Sequence, residues 1–505
     1  MKRLAAVLAV LSLACQEELP PRGEVVLHVD TDLAVPRLAG RLRVDLYQPD
    51  GTWYESRDTA LPDARDWPTS FSLYHSDDST PRRVWVRLRV YPHGRVREYL
   101  GERFTPAPDP LPADELAPQP AATGEPRLLD HGSDATPPTE PLPELAVDRL
   151  LELEIPAGQR RHLGVVLRGA CIGTMADLTG RTTCVDTPRS RVDASSAPLA
   201  GSEVPKVSSQ GAFGEPTGCD VALRPPSQSA DGASLFDEEV CVPGSLFVFG
   251  SAGVFGAGPQ SALPERAAIV RPVAMDRYEV TVGRWRAALD AGFLPQGFVF
   301  ANEGPLATGS GSGQGMCTWS SAPMGREHFA INCLTWSAAL SFCEFHGAGL
   351  PSEVEWEHAA TAAARADETL YPWGNAVPTC DRAVYGRWDA TSSGGTDCKT
   401  LGFGPVPVDV GQDVTPSIGV VGLGGGLTEW LRDTALPLTT RCWASAPLQD
   451  PGCDDPAQGE RSARGGNWSD NAIQLRAPMR KGYAAKDAGV GIGFRCSRPG
   501  RKEAP

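Results

Sequence analysis

Thirteen cysteines are the side chains of this 505-residue chain best able to do chemistry, because thiolates ligate soft metals, attack electrophiles and pair as disulfides. None stands in a Cys-x-x-Cys pair, the spacing that zinc and dithiol redox sites use. With Cys15 set aside an even number remains, and five pairs are close in sequence: Cys171 with Cys184, Cys219 with Cys241, Cys317 with Cys333, Cys380 with Cys398, and Cys442 with Cys453. This usage points to structural disulfides in an oxidising compartment, although the connectivity stays open at the level of sequence. The eight histidines stand singly, with no His-x-His or His-Glu-x-x-His pattern. His358, four positions beyond Val354 on an expected helix, reads as a surface or satisfied packing residue. Gly422-Leu423-Gly424-Gly425-Gly426 has neither the strand-to-helix context nor the following Lys-Ser/Thr of a phosphate cradle, and reads as a tight loop. Asn467-Trp468-Ser469 fits a glycosylation sequon, a match read as coincidence with a structural turn.

The chain's address is written at its start. Lys2 and Arg3 precede an apolar run from Leu4 to Ala14 that is too short to cross a bilayer and reads as a cleaved signal. Ala14-Cys15 resembles a bacterial lipobox, in which Cys15 is acylated and becomes the mature N-terminus. Ser12 stands where that motif prefers leucine, and an ordinary secretory signal is the alternative. The expectation is an exported protein, lipid-anchored in the bacterial cell envelope, with residues 1–22 as signal and tether and the membrane as a partner through the lipid. No later stretch is long and apolar enough to span a membrane. A formal net charge of −15, with no dense Lys/Arg run, argues against a nucleic-acid partner. Composition is that of an ordinary globular protein, and the length suggests about two to four domains.

Two kinds of element pattern divide the chain. From Gly23 to about Phe104 apolar residues alternate: Val25, Leu27 and Val29; Leu42, Val44 and Leu46; then Val84, Val86, Leu88 and Val90 between Trp85, Arg87 and Arg89. With the Pro49-Asp50-Gly51 turn, and with Leu150–Ile155 and Leu163–Leu167 as later strands, this predicts an antiparallel β-sandwich over 23–185 with one solvated face. A Pro-rich insertion at about 105–145 interrupts it, and residues 186–235 read as a linker. The remainder, 236–500, mixes short helices with glycine- and tryptophan-rich loops. Helices are expected over Trp336–Phe345, with Ala339, Leu340 and Cys343 on one face, and from Ser352 to about Ala364, where Ser352 and Glu355 form a capping box.

Landmarks in this half fall in one order: Val242-Pro243-Gly244; Met275-Asp276-Arg277-Tyr278-Glu279-Val280-Thr281; Asn332-Cys333-Leu334-Thr335-Trp336; Gly349-Leu350-Pro351-Ser352-Glu353-Val354-Glu355-Trp356-Glu357; Tyr371-Pro372-Trp373-Gly374; Thr428-Glu429-Trp430; Arg464-Gly465-Gly466-Asn467-Trp468; and Gly493-Phe494-Arg495-Cys496. Together they resemble the formylglycine-generating (sulfatase-modifying) enzyme family. The resemblance implies an α+β protein whose C-terminal half is irregular, related to C-type lectins, and stabilised by buried tryptophans and disulfides. The N-terminal sandwich lies outside it.

In catalytic members of that family two cysteines, five residues apart after the Gly-Gly turn, bind copper. Here the register places Asp470 and Leu475 there, and a carboxylate with an aliphatic chain cannot replace two thiolates. The resemblance further implies a Cys343–Cys496 disulfide and weakens calcium binding, because Gly425-Gly426 and Val384 replace expected ligands and only Glu429 remains as a candidate. Trp468, Asp470, Arg476 and Arg480 fall in the segment that lines the family's substrate groove. They are the candidate binding residues for a peptide or glycan; the alternative is that the tryptophan is core and the arginines bond loop carbonyls. The function expected is that of a non-catalytic envelope lipoprotein acting in binding or as a structural module, with neither copper nor calcium as cofactor. The alternatives are an oxidoreductase of the family acting on a protein cysteine and a carbohydrate-binding envelope protein.

Overall fold

The computed structural model describes residues 22–74, 79–92, 145–187, 190–194 and 213–501, apart from short internal gaps, together with the backbone of 103–104, 129–130 and 133–134. It is a mixed, sheet-rich structure with few helices, divided into two compact units between Phe213 and Gly214. Cys15 and most of the Pro-rich insertion lie outside the described residues. Within that insertion Leu129–Asp130 pairs with Ser133–Asp134. No helix among the described residues is long and apolar enough to cross a membrane.

The first unit holds two main sheets. In one, Glu24–Thr31 lies between Arg160–Leu167 and Thr69–Tyr74; in the other, Arg103–Phe104, Trp53–Ala60, Arg41–Tyr47, Arg82–Tyr91 and Val147–Ile155 follow in that order. The expected strands are present, but two expectations are corrected. Glu24–Thr31 runs parallel to Arg160–Leu167, a pairing that period-two alternation cannot distinguish from an antiparallel one. The alternate face of the five-stranded sheet is also not solvated: Arg43, Asp45, Arg87, Arg89 and Asp148 are all buried. Asp45 takes Arg43 at 3.0 Å and Arg89 at 2.8 Å, and Asp148 takes Arg87 at 2.6 Å. The segment around the Cys171–Cys184 disulfide covers this face, with Ala176 and Ala194 packed against Tyr47, Trp53, Trp85 and Leu150. Charges that the alternation assigned to water are instead buried against opposite charges, Asp45 taking two arginines and Asp148 one.

The 186–235 stretch is likewise not a simple linker. Val192–Asp193 pairs with Thr182–Thr183 in the first unit. In the second, Thr217 bridges Gly244 and Cys219 bonds Cys241, so this unit begins well before residue 236.

The second unit is built from short pieces. Sheets form from Arg480–Ala484, Glu460–Arg464, Thr428–Thr434 and Ile492–Gly493, from Glu239–Val242, Val273–Asp276 and Ser497–Pro499, and from Ser245–Phe249 with Arg266–Val270. Among the described residues of this unit there are four helices, α1 (Val282–Asp290), α2 (Trp336–Phe345), α3 (Glu353–Thr361) and α4 (Arg441–Ser445). The Ser352–Glu355 capping box of α3 forms as the sequence predicts. On α2 the fully buried residues are Ala338, Ala339, Phe342 and Cys343, while Leu340 is only partly covered. Stacked rings of Trp285 and Phe342, with Phe293 and Phe494 edge-on, form the centre of the main core. Six disulfides join the five local pairs and Cys343 with Cys496. His358 is buried, 2.7 Å from Ser245 Oγ and edge-on to Phe247.

Candidate functional site

The strand Glu460–Arg464 ends in the Gly465-Gly466 turn, where space is tight enough to demand glycine. Gly465 has φ +81°, and a Cβ on Gly466 would lie 2.8 Å from the Gly424 carbonyl and 2.9 Å from Leu475. The Gly422–Gly426 loop therefore serves close packing: Gly424 N donates to Asp413 Oδ2 and Gly424 O accepts from Gly466 N. Beyond the turn, Asn467 is buried and donates to Thr428 Oγ1, which removes the sequon from the surface.

Asp470 stands at the first position where the family resemblance places a thiolate. Its Oδ2 accepts from Asn467 N at 3.0 Å and from Lys481 Nζ at 2.6 Å, and Lys481 also donates to Thr428 Oγ1. Leu475, at the second position, is fully buried beside Tyr371, Ala383, Tyr385 and Cys398. The segment that leads to Cys398 runs directly along this turn. Gly386 N donates to Asp470 O, Arg387 N to Trp468 O and Gly395 N to Ser469 O, each at 2.8 Å. The approach is so close that a Cβ on Gly395 would lie 2.4 Å from Asp470 O. An ion-paired acid and a plugged hydrocarbon, backed by hydrogen-bonded chain, offer no soft donor pair, so these residues do not fit copper.

The four groove candidates do not form one surface. Trp468 is fully buried against Trp388 and Phe403 and donates to Val490 O. Arg480 is equally buried and is chelated by Glu353, with Nη2 2.8 Å from Oε2 and Nη1 donating to Ser261 O. Both are buried, in keeping with the alternative of a core tryptophan and an arginine bonded within the fold. Only Asp470 and Arg476 retain partial exposure.

Glu429 is also committed elsewhere. Arg495 reaches both of its oxygens, Nη2 lying 2.6 Å from Oε1, and Trp356 Nε1 donates to Oε2 at 2.9 Å. A carboxylate used in this way has little left for a calcium ion. Around it sit acids that spacing alone did not single out. Burial and the neighbouring Glu429 push the Glu279 carboxyl well above its ordinary range, and its Oε1 accepts from Leu427 N. Burial likewise raises Asp413 to about 7 against the pull of its backbone donors. Glu353 behaves oppositely: burial alone would raise it, but Arg480 and Arg464 hold it at about 2. Glu279 and Glu353 stand inside the motif blocks, so sequence offered a signal for them; Lys481 and Asp413 had none. Among the described residues no group of three or more His, Cys, Asp or Glu is arranged to hold a metal ion.

The sulfatase-modifying factor enzyme 1-like domain matches residues 226–499. The mouse inactive C-alpha-formylglycine-generating enzyme 2 is 26% identical over 169 residues, covering 32% of this chain and 47% of the mouse protein. The formylglycine-generating enzyme of Thermomonospora curvata is 25% identical over 241 residues, covering 42% of this chain and 75% of that enzyme. The chain thus spans about half the length of the mouse relative it matches. The structure of PvdO from Pseudomonas aeruginosa aligns with 55% of this chain and 99% of its own, at 20% identity and a TM-score of 0.38. With the family's domain extending over more than half of its length, the chain belongs to the sulfatase-modifying factor enzyme 1-like family.

Proposed function

We propose that this is an exported bacterial lipoprotein, anchored through Cys15, whose sulfatase-modifying-type domain is non-catalytic and serves in the cell envelope as a binding or structural module. In this reading the two N-terminal sheets form a sandwich that carries a C-type-lectin-like domain, and the partner is a protein or glycan of the envelope. The observation that supports the non-catalytic part of this reading is the fate of the two positions where the family resemblance places metal ligands: Asp470 is neutralised by Lys481, and Leu475 is sealed in apolar packing. Thiolate oxidation through copper needs two sulfurs at one metal, and neither residue can supply one.

The test is cysteine oxidation by the purified protein, supplied with copper and oxygen, on a Cys-x-Pro-x-Arg peptide. No turnover and no stoichiometric copper are expected; formation of formylglycine would end the proposal. For the anchor, Cys15→Ala is expected to move the protein from the membrane fraction to the soluble fraction and to abolish labelling by radioactive fatty acid.

A further inference from the structure

A cavity of about 480 Å³ in the second unit, formed by residues other than those of the family groove, is lined by Arg271, Arg432, Arg498 and Arg501. Two carboxylates, Glu355 and Asp450, also line it. Asp450 accepts from Arg271 within the lining itself, and Glu355 Oε2 caps α3 by accepting from Ser352 N at 2.8 Å. Arg498 is held by Glu239 at 2.6 Å. Arg432 and Arg501 are exposed and form no ion pair among the described residues. A chain with a formal charge of −15 therefore gathers four guanidiniums and two carboxylates in one concavity, with Arg432 and Arg501 the two guanidiniums that form no ion pair among the described residues.

The walls are fixed before any ligand arrives. Gly349 and Ser497 exchange backbone hydrogen bonds at 2.9 and 2.8 Å, Gly500 N donates to Pro272 O, and the adjacent Cys343–Cys496 disulfide fastens the strand that carries Arg498 to α2. Added Cβ atoms on Gly347 or Gly349 would meet nothing within 4 Å, so the cavity is open at that wall. Among the described residues no aromatic ring lines it, and Pro272, Val273, Leu350 and Pro499 add apolar lining. Arginine forks match phosphate and carboxylate oxygens bidentately, and the volume lies in the range of small-molecule sites.

We propose that this cavity is a binding site for a small molecule carrying two or more phosphate or carboxylate groups, with Arg432 and Arg501 as the principal anion ligands. Two separate guanidiniums without an ion pair can each take an acidic group, and the lack of a stacking ring among the described lining residues disfavours nucleobases. The site is independent of the chemistry at Asp470 and Leu475.

Titration calorimetry on the full mature chain, with pyrophosphate and citrate as probes in separate arms, tests this. Saturable binding of one equivalent is expected for at least one probe, weakening as salt is raised; the tighter arm identifies the preferred acid group. Arg432→Gln and Arg501→Gln are each expected to weaken binding by about tenfold. Gly349→Leu, whose side chain would enter the open cavity, is expected to abolish binding while leaving the melting temperature unchanged. Absence of saturable binding for both probes, or arginine variants that bind as the parent does, overturns the site. Should Gly349→Leu fail to fold, the two exposed arginine variants decide the matter alone.

Discussion

The Lys481 ammonium lies 2.6 Å from the Asp470 carboxylate, with Lys481 9% and Asp470 23% exposed. That pair occupies the position where a catalytic relative would hold the first of its thiolates. Removing one partner strands the other in a poorly hydrated turn. Lys481→Met and Asp470→Asn are each expected to destabilise the second unit by about 1–3 kcal/mol. Their double-mutant cycle is expected to show coupling of about 1 kcal/mol in urea denaturation. A coupling near zero would mean that the acid is free to serve a ligand.

Arg480 is predicted to behave as a structural residue. Glu353 takes Arg480 and Arg464 together, all three being fully buried. Arg480→Met leaves that acid short of a partner and is expected to cost about 3–5 kcal/mol. Denaturant midpoints check this; an unchanged midpoint would return Arg480 to the list of candidate ligand contacts.

Stability of the second unit is expected to fall as pH rises from about 4 to 8. Burial raises Glu357 and Asp413 to about 7 and Asp433 to about 6, so the folded state keeps these acids protonated after the unfolded chain has ionised. Their favourable contribution is complete below the unfolded values of 4.5 and 3.8 and is lost as pH climbs through the folded ones. Glu353 sets the opposite limb. Held at about 2 against an ordinary 4.5, it stabilises above 4.5, and that contribution is lost as pH falls through 2. Melting temperatures across this range should peak near pH 4 to 5, and Glu357→Gln should flatten the alkaline slope.

The Cys343–Cys496 disulfide joins residues 153 apart within the core. Its removal in a Cys343→Ala, Cys496→Ala variant is expected to cost on the order of 4 to 5 kcal/mol through the entropy of the unfolded chain. The local Cys380–Cys398 pair, 18 apart, is expected to cost less, at about 3 kcal/mol. Equal losses in calorimetric unfolding would refute loop closure as the cause.

Local chemistry determined what the sequence could disclose. The α3 capping box needs only Ser352 and Glu355 three positions apart, and the apolar alternation of Val84 to Val90 marks its strand whatever lies across from it. The motif blocks likewise identified the family, because they are contiguous in the chain. What lies opposite each element was decided by the tertiary structure. Arg87 and Arg89 read as solvated because burial depends on a covering segment more than 80 residues away, around Cys171–Cys184. Trp468 and Arg480 stay open between ligand contact and core in the sequence because the partners that bury them, Trp388, Phe403 and Glu353, lie far along the chain. An irregular fold held by long-range pairs fixes its charges and rings through distant neighbours, and spacing carries no record of those.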